Sequence, residues 1–525
     1  MVLNHSEHLA THAAITPDSC ALRFEGRSYS FAELDCWAGQ LASWLSRRGV
    51  GFGDRIGLLL PNCLAFIVAH QATLRLGAIA VAFNPKSRAR AVAHMLADCT
   101  PKVLFVTPDS AASLPDPELG PGPAPLRVAV DGEVPGAVSW ELALRGRKRE
   151  PVEVEPQTPA VILYSSGTTG PAKGVVLSHA NLEFNARAKL RYLGIGSDDR
   201  LLLFVPLSHV FGQNAIMSPA LMAGATIVLY RRFDPEQIAA ALGDEAVSMV
   251  FAVPTVYRML LDSLAGAAPP TVRLWFSAAA TLPEDLSRRW QRELGAAIFE
   301  GYGLTETSPF ACFNHLREHR IGSVGAAIDG VELRVVDPDT GAELGPGAPG
   351  EIQVRGPNVM LGYWGRKAET AAAVVDGWFR TGDLGTIDVD GYVVLIDRIK
   401  DMIDVAGLKV WPSEVEAVLE DHAEVARAAV YRRPDRDTGE RVAASVIVEP
   451  GAELDAAALA RWCRAQLAPY KVPVEFALVD ELPISPTGKV LRRVLSQAGA
   501  EASASSARSS SASSARSSSF PSSSG

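Results

Sequence analysis

Short apolar runs alternate with longer amphipathic segments through residues 1–398 of the chain. The runs are continuous in Val, Leu, Ile and Ala, which is typical of buried strands, and apolar residues recur at helical spacing in between, as in residues 62–75 and 234–242. Strands that alternate with helices favour an α/β fold with largely parallel sheets. The runs with strand character are residues 55–60, 78–83, 103–106, 201–205, 226–229 and 249–252.

The pattern changes twice further along the chain. Residues 331–354 contain two strand-like runs around a Pro-Asp-Thr-Gly turn, which predicts antiparallel strands of a small barrel-like unit. After residues 398–400 we expect a separate α+β domain of residues 401–497, of normal domain size. Its predicted elements are a helix from residue 414 to 419, strands at 425–431 and 442–448, and a helix at 454–467.

Residues 498–525 are almost all Ser, Ala, Arg and Gly, with SSARSSS at 505–511 and again at 513–519. Such a segment cannot bury an apolar core, so we expect a disordered tail without a catalytic role.

Composition narrows the function classes. A length of 525 residues implies several subdomains, and 48% hydrophobic with 21% charged residues is typical of a soluble globular protein. A net charge of −9 argues against a general nucleic-acid binder. The six cysteines are scattered without a CxxC pair, which fits a reducing, cytoplasmic compartment rather than a disulfide framework or a zinc site.

We expect neither a signal peptide nor a membrane span in the N-terminal part of this sequence. It lacks a basic start followed by an apolar core, and the most apolar stretch, residues 56–83, is interrupted by polar residues and predicts strand, helix and strand. His5, His8 and His12 could share a helix face as metal ligands. Histidines at a chain terminus are a weak signal, so we expect a solvated helix face instead.

Residues 164–175, YSSGTTGPAKGV, form the most informative loop. An apolar run at 159–164 precedes it, a second begins at 175, and residues 178–181 have the character of a helix start. Glycine allows close approach of backbone N–H groups, hydroxyls donate hydrogen bonds and lysine adds positive charge, so the loop suits phosphate binding. The P-loop pattern GxxxxGK[ST] is not met, because Ala172 and Lys173 occupy its Gly-Lys positions. Taken alone, the segment could equally be a flexible surface loop.

Five further motifs accompany this loop. Residues 300–309 read EGYGLTETSP, where Glu306 at the sixth position of a would-be GxGxxG excludes a dinucleotide fingerprint. The others are PLSHVFG at 206–212, WFRTGD at 378–383, DRIKDMIDV at 397–405 followed by AGLK, and ISPTGKVLRR at 484–493.

Together these motifs make residues 10–497 resemble the acyl-adenylate-forming superfamily, which comprises acyl-CoA synthetases, adenylation domains of peptide synthetases and firefly-type luciferases. YSSGTTGPAKGV, EGYGLTE, RTGD and PTGK stand in the family's order and approximate spacing. Within it the chain is most similar to bacterial fatty-acyl-CoA ligases, through PLSHVFGQN and the run GWFRTGDLG…DGYVVLIDRIKDMI. The resemblance implies a large adenylation domain, a hinge at 399–400 with Lys400, and a mobile C-terminal domain.

The implied chemistry is activation of a carboxylic acid by ATP as an acyl-AMP, with Mg²⁺, followed by transfer to coenzyme A. Tyr302 would stack on adenine, Thr305 would bind the α-phosphate, Glu306 would bind Mg²⁺, and Lys489 would bridge the acid and the α-phosphate. The resemblance places these further residues at the nucleotide: Ser165, Ser166, Gly167, Thr168, Thr169 and Lys173 at the β- and γ-phosphates, Asp383 and Arg398 at the ribose, and Ala279 and Gly301 beside the adenylate.

In the family the C-terminal domain rotates between the two half-reactions and replaces the PTGK lysine by a glycine-containing loop. Here that loop would be residues 404–409, and Gly407 and Lys409 are the expected contacts to CoA. Gly407 would let the backbone lie against the pantetheine arm.

The acid is expected near His209, Ala278 and Gly303. Residues 276–283 read FSAAATLP where fatty-acyl ligases commonly read SGGAPLP, and the methyl groups of Ala278 and Ala279 would constrict the pocket. His209 could instead be a structural histidine. The favoured acid is a medium- or long-chain fatty acid, and the alternative is an aryl acid of the benzoate or anthranilate type.

Two further functions stay open: a ligase that loads a carrier-protein thiol, and a non-catalytic binding protein that kept the fold. The expected partners are small molecules, and the expected assembly is a monomer or homodimer.

Overall fold

The computed structural model describes residues 4–114, 124–165, 172–264, 266, 268–316, 318–484 and 489–497. The chain divides into two compact units, the first comprising Met1–Thr381 with Thr386–Leu395 and the second Gly382–Gly385 with Ile396–Gly525. The predicted α/β class with a large N-terminal and a small C-terminal part is confirmed. The hinge at 399–400 stays a prediction.

The helices and strands alternate as the apolar pattern predicts. The helices are α1 (Glu7–Ile15), α2 (Phe31–Ser46), α3 (Leu64–Arg75), α4 (Ala89–Cys99), α5 (Pro108–Ala111), α6 (Trp140–Ala143), α7 (His179–Leu193), α8 (Ser218–Ala223), α9 (Pro235–Asp244), α10 (Pro254–Ser263), α11 (Glu284–Leu294), α12 (Lys367–Ala373), α13 (Pro412–Glu420) and α14 (Ala456–Gln466). The strands are β1 (Cys20–Phe24), β2 (Arg27–Ser30), β3 (Arg55–Leu59), β4 (Ile79–Ala82), β5 (Val103–Val106), β6 (Leu126–Ala129), β7 (Val138–Ser139), β8 (Pro159–Ser165), β9 (Lys173–Ser178), β10 (Arg200–Leu203), β11 (Thr226–Leu229), β12 (Met249–Ala252), β13 (Leu274–Ser277), β14 (Ile298–Tyr302), β15 (Cys312–Phe313), β16 (Ala326–Ala327), β17 (Glu332–Val336), β18 (Gly350–Arg355), β19 (Gly362–Tyr363), β20 (Val374–Val375), β21 (Trp378–Ile387), β22 (Val393–Arg398), β23 (Ile403–Val405), β24 (Leu408–Val410), β25 (Val425–Asp435), β26 (Gly439–Val448) and β27 (Glu475–Leu478).

One sheet of the first unit has the order β19-β9-β8-β4-β3-β5-β6-β7. Its strands from β8 to β7 pair in parallel, whereas β9 returns antiparallel to β8. The predicted strand, helix and strand of residues 56–83 are confirmed as β3, α3 and β4. Burial on both faces explains why these strands read as continuous apolar runs.

The second sheet has the order β16-β15-β14-β13-β12-β10-β11-β1-β2. Its central strands β14, β13, β12 and β10 pair in parallel, so their carboxyl ends lie at one edge. The chain segment after each strand therefore starts at that same edge, which is where ligands bind in open α/β sheets.

Residues 331–354 form antiparallel strands, as predicted: β17 pairs with β18, and the sheet continues in the order β17-β18-β21-β20, with β22 beside β21. The sheet of the second unit has the strand order β24-β23-β26-β25, and β27 pairs in parallel with β26. Helices α13 and α14 contribute to the hydrophobic core of this unit. The four elements predicted there are confirmed by α13, β25, β26 and α14. The predicted disordered tail lies outside the described residues.

Among the residues that the structure describes, every helix is too short or too polar to cross a lipid bilayer.

Candidate active site

The carboxyl edge of the second sheet gathers several of the predicted site residues. His209 follows β10, Ala278 and Ala279 follow β13, and Gly303 and Thr305 follow β14. Since β10, β12, β13 and β14 are parallel neighbours, these segments emerge from one edge although they are almost a hundred residues apart in sequence. The sheet thus brings the predicted acid-binding and α-phosphate segments to one side of the first unit.

The predicted phosphate loop joins two antiparallel strands. Ser165 ends β8 and pairs with Lys173, which begins β9. Ser166, Gly167, Thr168 and Thr169 lie outside the described residues. The P-loop places its lysine at the start of a helix, whereas here a whole strand separates Lys173 from α7. The loop therefore differs from a P-loop in topology as well as in sequence, because it leads into a strand and not into a helix.

Tyr363 connects the lysine of this loop with the predicted metal ligand. The Lys173 ammonium lies 4.9 Å from the centre of the Tyr363 ring, and the Tyr363 hydroxyl donates a 3.0 Å hydrogen bond to Glu306 Oε1. Burial and the neighbouring Glu306 raise the pKa of Tyr363, so the hydroxyl keeps its proton and acts as a donor. Sequence reasoning missed Tyr363, because nothing in residues 362–364 signals that β19 pairs with β9.

Glu306 fits a Mg²⁺ ion by its chemistry. It lies in the 3-10 helix Thr305–Thr307, is 9% exposed, and its backbone carbonyl accepts a 2.9 Å hydrogen bond from the Met360 amide. A carboxylate oriented by a tyrosine and a fixed backbone offers a hard oxygen of the kind that Mg²⁺ prefers.

Two glycines of the EGYG motif are required by close packing. A methyl group on Gly301 would come within 2.9 Å of the Phe313 ring and close to Phe276, and one on Gly303 would overlap the Pro309 carbonyl. Tyr302, between them, is buried. Even a Cβ cannot be accommodated at these positions. The two glycines of the motif are therefore required by the packing of the protein itself, independently of any ligand.

Side chains of helix α7 donate hydrogen bonds to the backbone that follows the EGYG motif. Asn185 donates 2.8 Å and 3.3 Å hydrogen bonds to the carbonyls of Phe310 and Thr307, and Asn181 donates to the carbonyls of Pro357 and Val359 at 2.7 Å and 2.9 Å. The helix starts where residues 178–181 predict it, and Ser178 and Asn181 form a capping box there. Buried amides must find partners, so these bonds hold the chain around Glu306 in one position.

Lys189 on the same helix is a buried cation that sequence reasoning also missed. Its ammonium donates hydrogen bonds to Asn185 Oδ1 at 2.6 Å, the Asn185 carbonyl at 3.1 Å and the Asn214 carbonyl at 2.8 Å, and lies 5.3 Å from the centre of the Phe310 ring. Burial lowers the pKa of Lys189 well below its usual range. A helix sequence such as NARAKL does not distinguish a buried lysine from a solvated one.

The predicted acid-binding residues differ in their surroundings. His209 precedes a π-helix, Phe211–Met217, and its Nδ1 accepts a 3.1 Å hydrogen bond from the Phe211 amide, so the ring orientation is fixed locally. Ala278 is buried. Ala279 has a φ of 71°, a left-handed conformation that disfavours any residue with a Cβ by about 1–2 kcal/mol. The position where the resemblance to fatty-acyl ligases predicts glycine is therefore also one that favours glycine by conformation.

In the second unit, Asp383 and Arg398 form an ion pair with 2.8 Å between Oδ1 and Nε, and Asp383 is 5% exposed. The two predicted ribose ligands are thus brought together. Lys400 lies in the 3-10 helix Ile399–Asp401, and its carbonyl accepts a hydrogen bond from Arg432.

The predicted CoA loop is the turn of a tight hairpin. β23 and β24 pair antiparallel, and the turn residues Ala406 and Gly407 both have positive φ, 53° and 86°. The Gly407 amide donates a 2.6 Å hydrogen bond to Asp404 Oδ1, and Lys409 follows in β24. Lys489 is exposed, next to the bridge between Ile484 and Val490, while residues 485–488 lie outside the described residues.

Glu300, the first residue of the EGYGLTE motif, is a further group that the sequence did not single out as functional. It is 4% exposed, and its Oε1 accepts a 3.3 Å hydrogen bond from the Leu282 amide. Burial, with a smaller contribution from the charge of Glu284, raises its pKa from 4.5 to about 8. The side chain is therefore a neutral acid at neutral pH.

Comparison with known proteins identifies the family of this chain. Residues 9–364 match the family described as AMP-binding enzyme, and residues 414–489 match the AMP-binding enzyme C-terminal domain. The indoleacetate–CoA ligase of Aromatoleum aromaticum is 36% identical over 493 residues, covering 92% of this chain and 96% of the relative. The long-chain-fatty-acid–CoA ligase of Bacillus subtilis is 31% identical over 526 residues, covering 94% of each chain.

The crystal structure of ATP-bound MatB from Rhodopseudomonas palustris superposes with a TM-score of 0.86 at 32% identity, covering 94% of this chain and 98% of that chain. The predicted resemblance to adenylate-forming enzymes is thereby confirmed. The fatty-acyl relative is accompanied by an arylacetate relative of higher identity, so similarity alone does not select the acid.

The raised pKa of Glu300 predicts a pH-dependent stability. Below about pH 4.5 the carboxyl is protonated in both folded and unfolded chains, whereas between about 4.5 and 8 only the folded chain retains the proton, so stability falls as pH rises. Glu300→Gln should remove this dependence, up to about 1.4 kcal/mol per pH unit, as measured by urea unfolding between pH 5.5 and 8. Glu236→Gln, on the exposed surface of α9, controls for the loss of one carboxylate. Parallel pH profiles for wild type and Glu300→Gln would contradict the assignment.

Proposed function

Because this chain belongs to the AMP-binding enzyme family, we propose that it converts a compact aromatic or arylalkanoic acid to its CoA thioester through an acyl-adenylate. The enzyme is an ATP-dependent acid–CoA ligase, and its cofactor and co-substrates are Mg²⁺, ATP and CoA. The choice of acid and the roles of individual residues are the proposal.

In the first half-reaction a carboxylate oxygen of the acid attacks the α-phosphorus of ATP, and pyrophosphate leaves. Lys173 and the loop before it would hold the β- and γ-phosphates, and Glu306 would hold Mg²⁺, whose charge offsets that of the departing pyrophosphate. Thr305 would donate to the α-phosphate, and Lys489 would stabilise the charge shared by acid and phosphate. Two contacts support this assignment: the Lys173 ammonium lies over the Tyr363 ring, and the Tyr363 hydroxyl donates to Glu306, so the proposed phosphate lysine and metal ligand are linked within one unit.

In the second half-reaction the CoA sulfur attacks the acyl carbon, and AMP leaves. Asp383 would bind the ribose hydroxyls, with Arg398 fixing its carboxylate. Gly407 lies in an exposed hairpin turn with open space where a side chain would project, which suits close approach of a pantetheine arm.

The preference for a compact acid rests on the packing behind the glycine motif. Phe211, Phe276, Phe310 and Phe313 pack edge to face with ring centres 4.8–6.2 Å apart, and Phe310 is 2% exposed. Ala278 and Ala279 add methyl groups where the resemblance to fatty-acyl ligases predicts glycine. As one wall of the acid pocket, these rings and methyl groups would leave less room for a long flexible chain and would favour an aromatic acid.

Lys489→Ala should reduce acid-dependent ATP–pyrophosphate exchange by about 100- to 1000-fold, the usual effect of removing one charge-stabilising donor. Transfer to CoA from synthetic acyl-AMP should be far less affected, because the lysine acts before that step. Arg461→Ala, which removes an exposed charge from α14 of the same unit, is the matched control. Near-normal exchange in the lysine variant would refute its role, and absence of exchange in the wild type with every acid would favour a non-catalytic protein.

Gly407→Asn should show the opposite split: nearly normal exchange but at least about tenfold slower thioester formation, since a 1.4 kcal/mol steric penalty has that effect. Asparagine tolerates positive φ, so the fold should survive. Gly451→Asn is the matched control, because Gly451 also has positive φ, 87°, and an added Cβ there likewise meets no atom within 4 Å. Equal thioester rates for both variants would place CoA elsewhere.

For the acid, kcat/KM for indoleacetate or cinnamate should exceed that for palmitate by at least about tenfold, with octanoate between them. Ala279→Gly should shift this ratio towards longer acids and also stabilise the chain by relieving the left-handed alanine. Ala246→Gly relieves a similar conformation, φ 48°, after α9 and should stabilise without changing the ratio. Best activity with palmitate, or an unchanged ratio in Ala279→Gly, would overturn the compact-acid proposal.

A further inference from the structure

Three side chains capable of binding a metal converge where the N-terminal segment packs on α7. His5 directly precedes the Ser6 cap of α1, His8 lies in the first turn of α1, and Glu183 lies in α7. The ligand atoms of these three residues all lie within 4.8 Å of one another. The expectation of a solvated histidine face is wrong here, because His5 is 3% exposed and His8 contacts Glu183.

The distances are close to those in the coordination sphere of a small cation. Glu183 Oε2 lies 3.4 Å from His5 Nδ1 and 2.7 Å from His8 Nε2, and the two imidazole rings are nearly perpendicular with centres 5.3 Å apart. Ligands about 2.0–2.1 Å from a tetrahedral Zn²⁺ are roughly 3.3 Å apart. Only small movements are therefore needed for the three atoms to share one ion.

Hydrogen bonds from neighbouring residues orient the three side chains, as is common for residues that bind a metal. Arg187 donates a 2.6 Å hydrogen bond to Glu183 Oε1, so Oε2 faces the imidazoles. The backbone amide of His5 donates a 3.1 Å hydrogen bond to His179 Nδ1, and the Asn4 side chain donates to the carbonyls of Leu74 and Val152.

His12 shows that the cluster is selective among the three N-terminal histidines. It lies one helical turn beyond His8, but its Nε2 contacts the Met222 carbonyl at 3.0 Å and its ring packs against Phe31. The third histidine considered from sequence is therefore engaged elsewhere, and its place is taken by a glutamate 175 residues away from His8.

We propose that His5, His8 and Glu183 form a binding site for one Zn²⁺-like transition-metal ion that fastens α1 to α7. Two imidazoles and one carboxylate favour Zn²⁺, Co²⁺ or Ni²⁺ over Mg²⁺ and Ca²⁺, which prefer oxygen-only ligand sets. Water would complete the coordination. This site is separate from Glu306, the proposed Mg²⁺ ligand. The role of the bound ion would be structural, because it would stabilise α7, whose Asn181 and Asn185 hold the backbone around Glu306.

Metal-free full-length protein, prepared with a chelator, should be titrated with Co²⁺ and Zn²⁺ in the presence of excess Mg²⁺. We expect one Co²⁺ per chain by visible d–d absorption, displacement by Zn²⁺, and a rise in the thermal unfolding midpoint that saturates at the same ratio. His8→Gln should lower the Co²⁺ affinity at least tenfold, whereas His12→Gln, the matched control, should bind like wild type.

His8 is partly exposed, so His8→Gln should fold, and circular dichroism verifies this. Glu183→Gln provides a second variant with the same expected loss of binding. The proposal is overturned if wild type binds no Co²⁺ more tightly than His8→Gln, if Mg²⁺ displaces the bound ion, or if His12→Gln loses binding equally.

Discussion

The buried polar side chains of α7 are the constraint on which much of the first unit depends. Asn181, Asn185, Lys189 and Glu183 are all buried, and each can be accommodated only if it meets a complementary group from another segment. Their partners are backbone carbonyls around residues 307–310, 357–359 and 214 and the histidines of the N-terminal segment. One helix therefore sets the positions of segments that are far apart in sequence.

This constraint explains how the Thr305–Glu306 turn, which follows a strand, is held in a defined position. The Thr305–Glu306 turn follows a central parallel strand, so its approximate place comes from the sheet. Its final position comes from Asn185 behind it and from Tyr363 beside it, which also neighbours Lys173. Removal of water from these bonds strengthens them, and an enzyme that stabilises developing charge depends on such fixed dipoles.

The same helix connects two features that would otherwise be unrelated. Glu183 faces the N-terminal histidines, and Asn185, two residues later, faces the adenylation motif. The proposed transition-metal site and the proposed catalytic site would thus share a rigid element while using different ions and different ligands. Glu300, the first residue of that motif, is a further buried polar group, and because its pKa is raised the stability of the fold depends on its protonation.

Local sequence was sufficient for the α/β class, for most strands and helices and for the helix start at residues 178–181, whereas the adenylating chemistry followed from the resemblance of several motifs, in order along the chain, to a known family. Strand and helix periodicity, capping residues and loop composition act over a few residues and are legible without the fold. The tertiary structure alone decided that Tyr363 meets Glu306, that Lys189 is buried, that Ala279 is left-handed, and that Glu183 rather than His12 joins His5 and His8. Each of these depends on which surfaces pack together across tens to hundreds of residues, and the free energy that selects such a packing belongs to the whole core rather than to any segment that contributes to it.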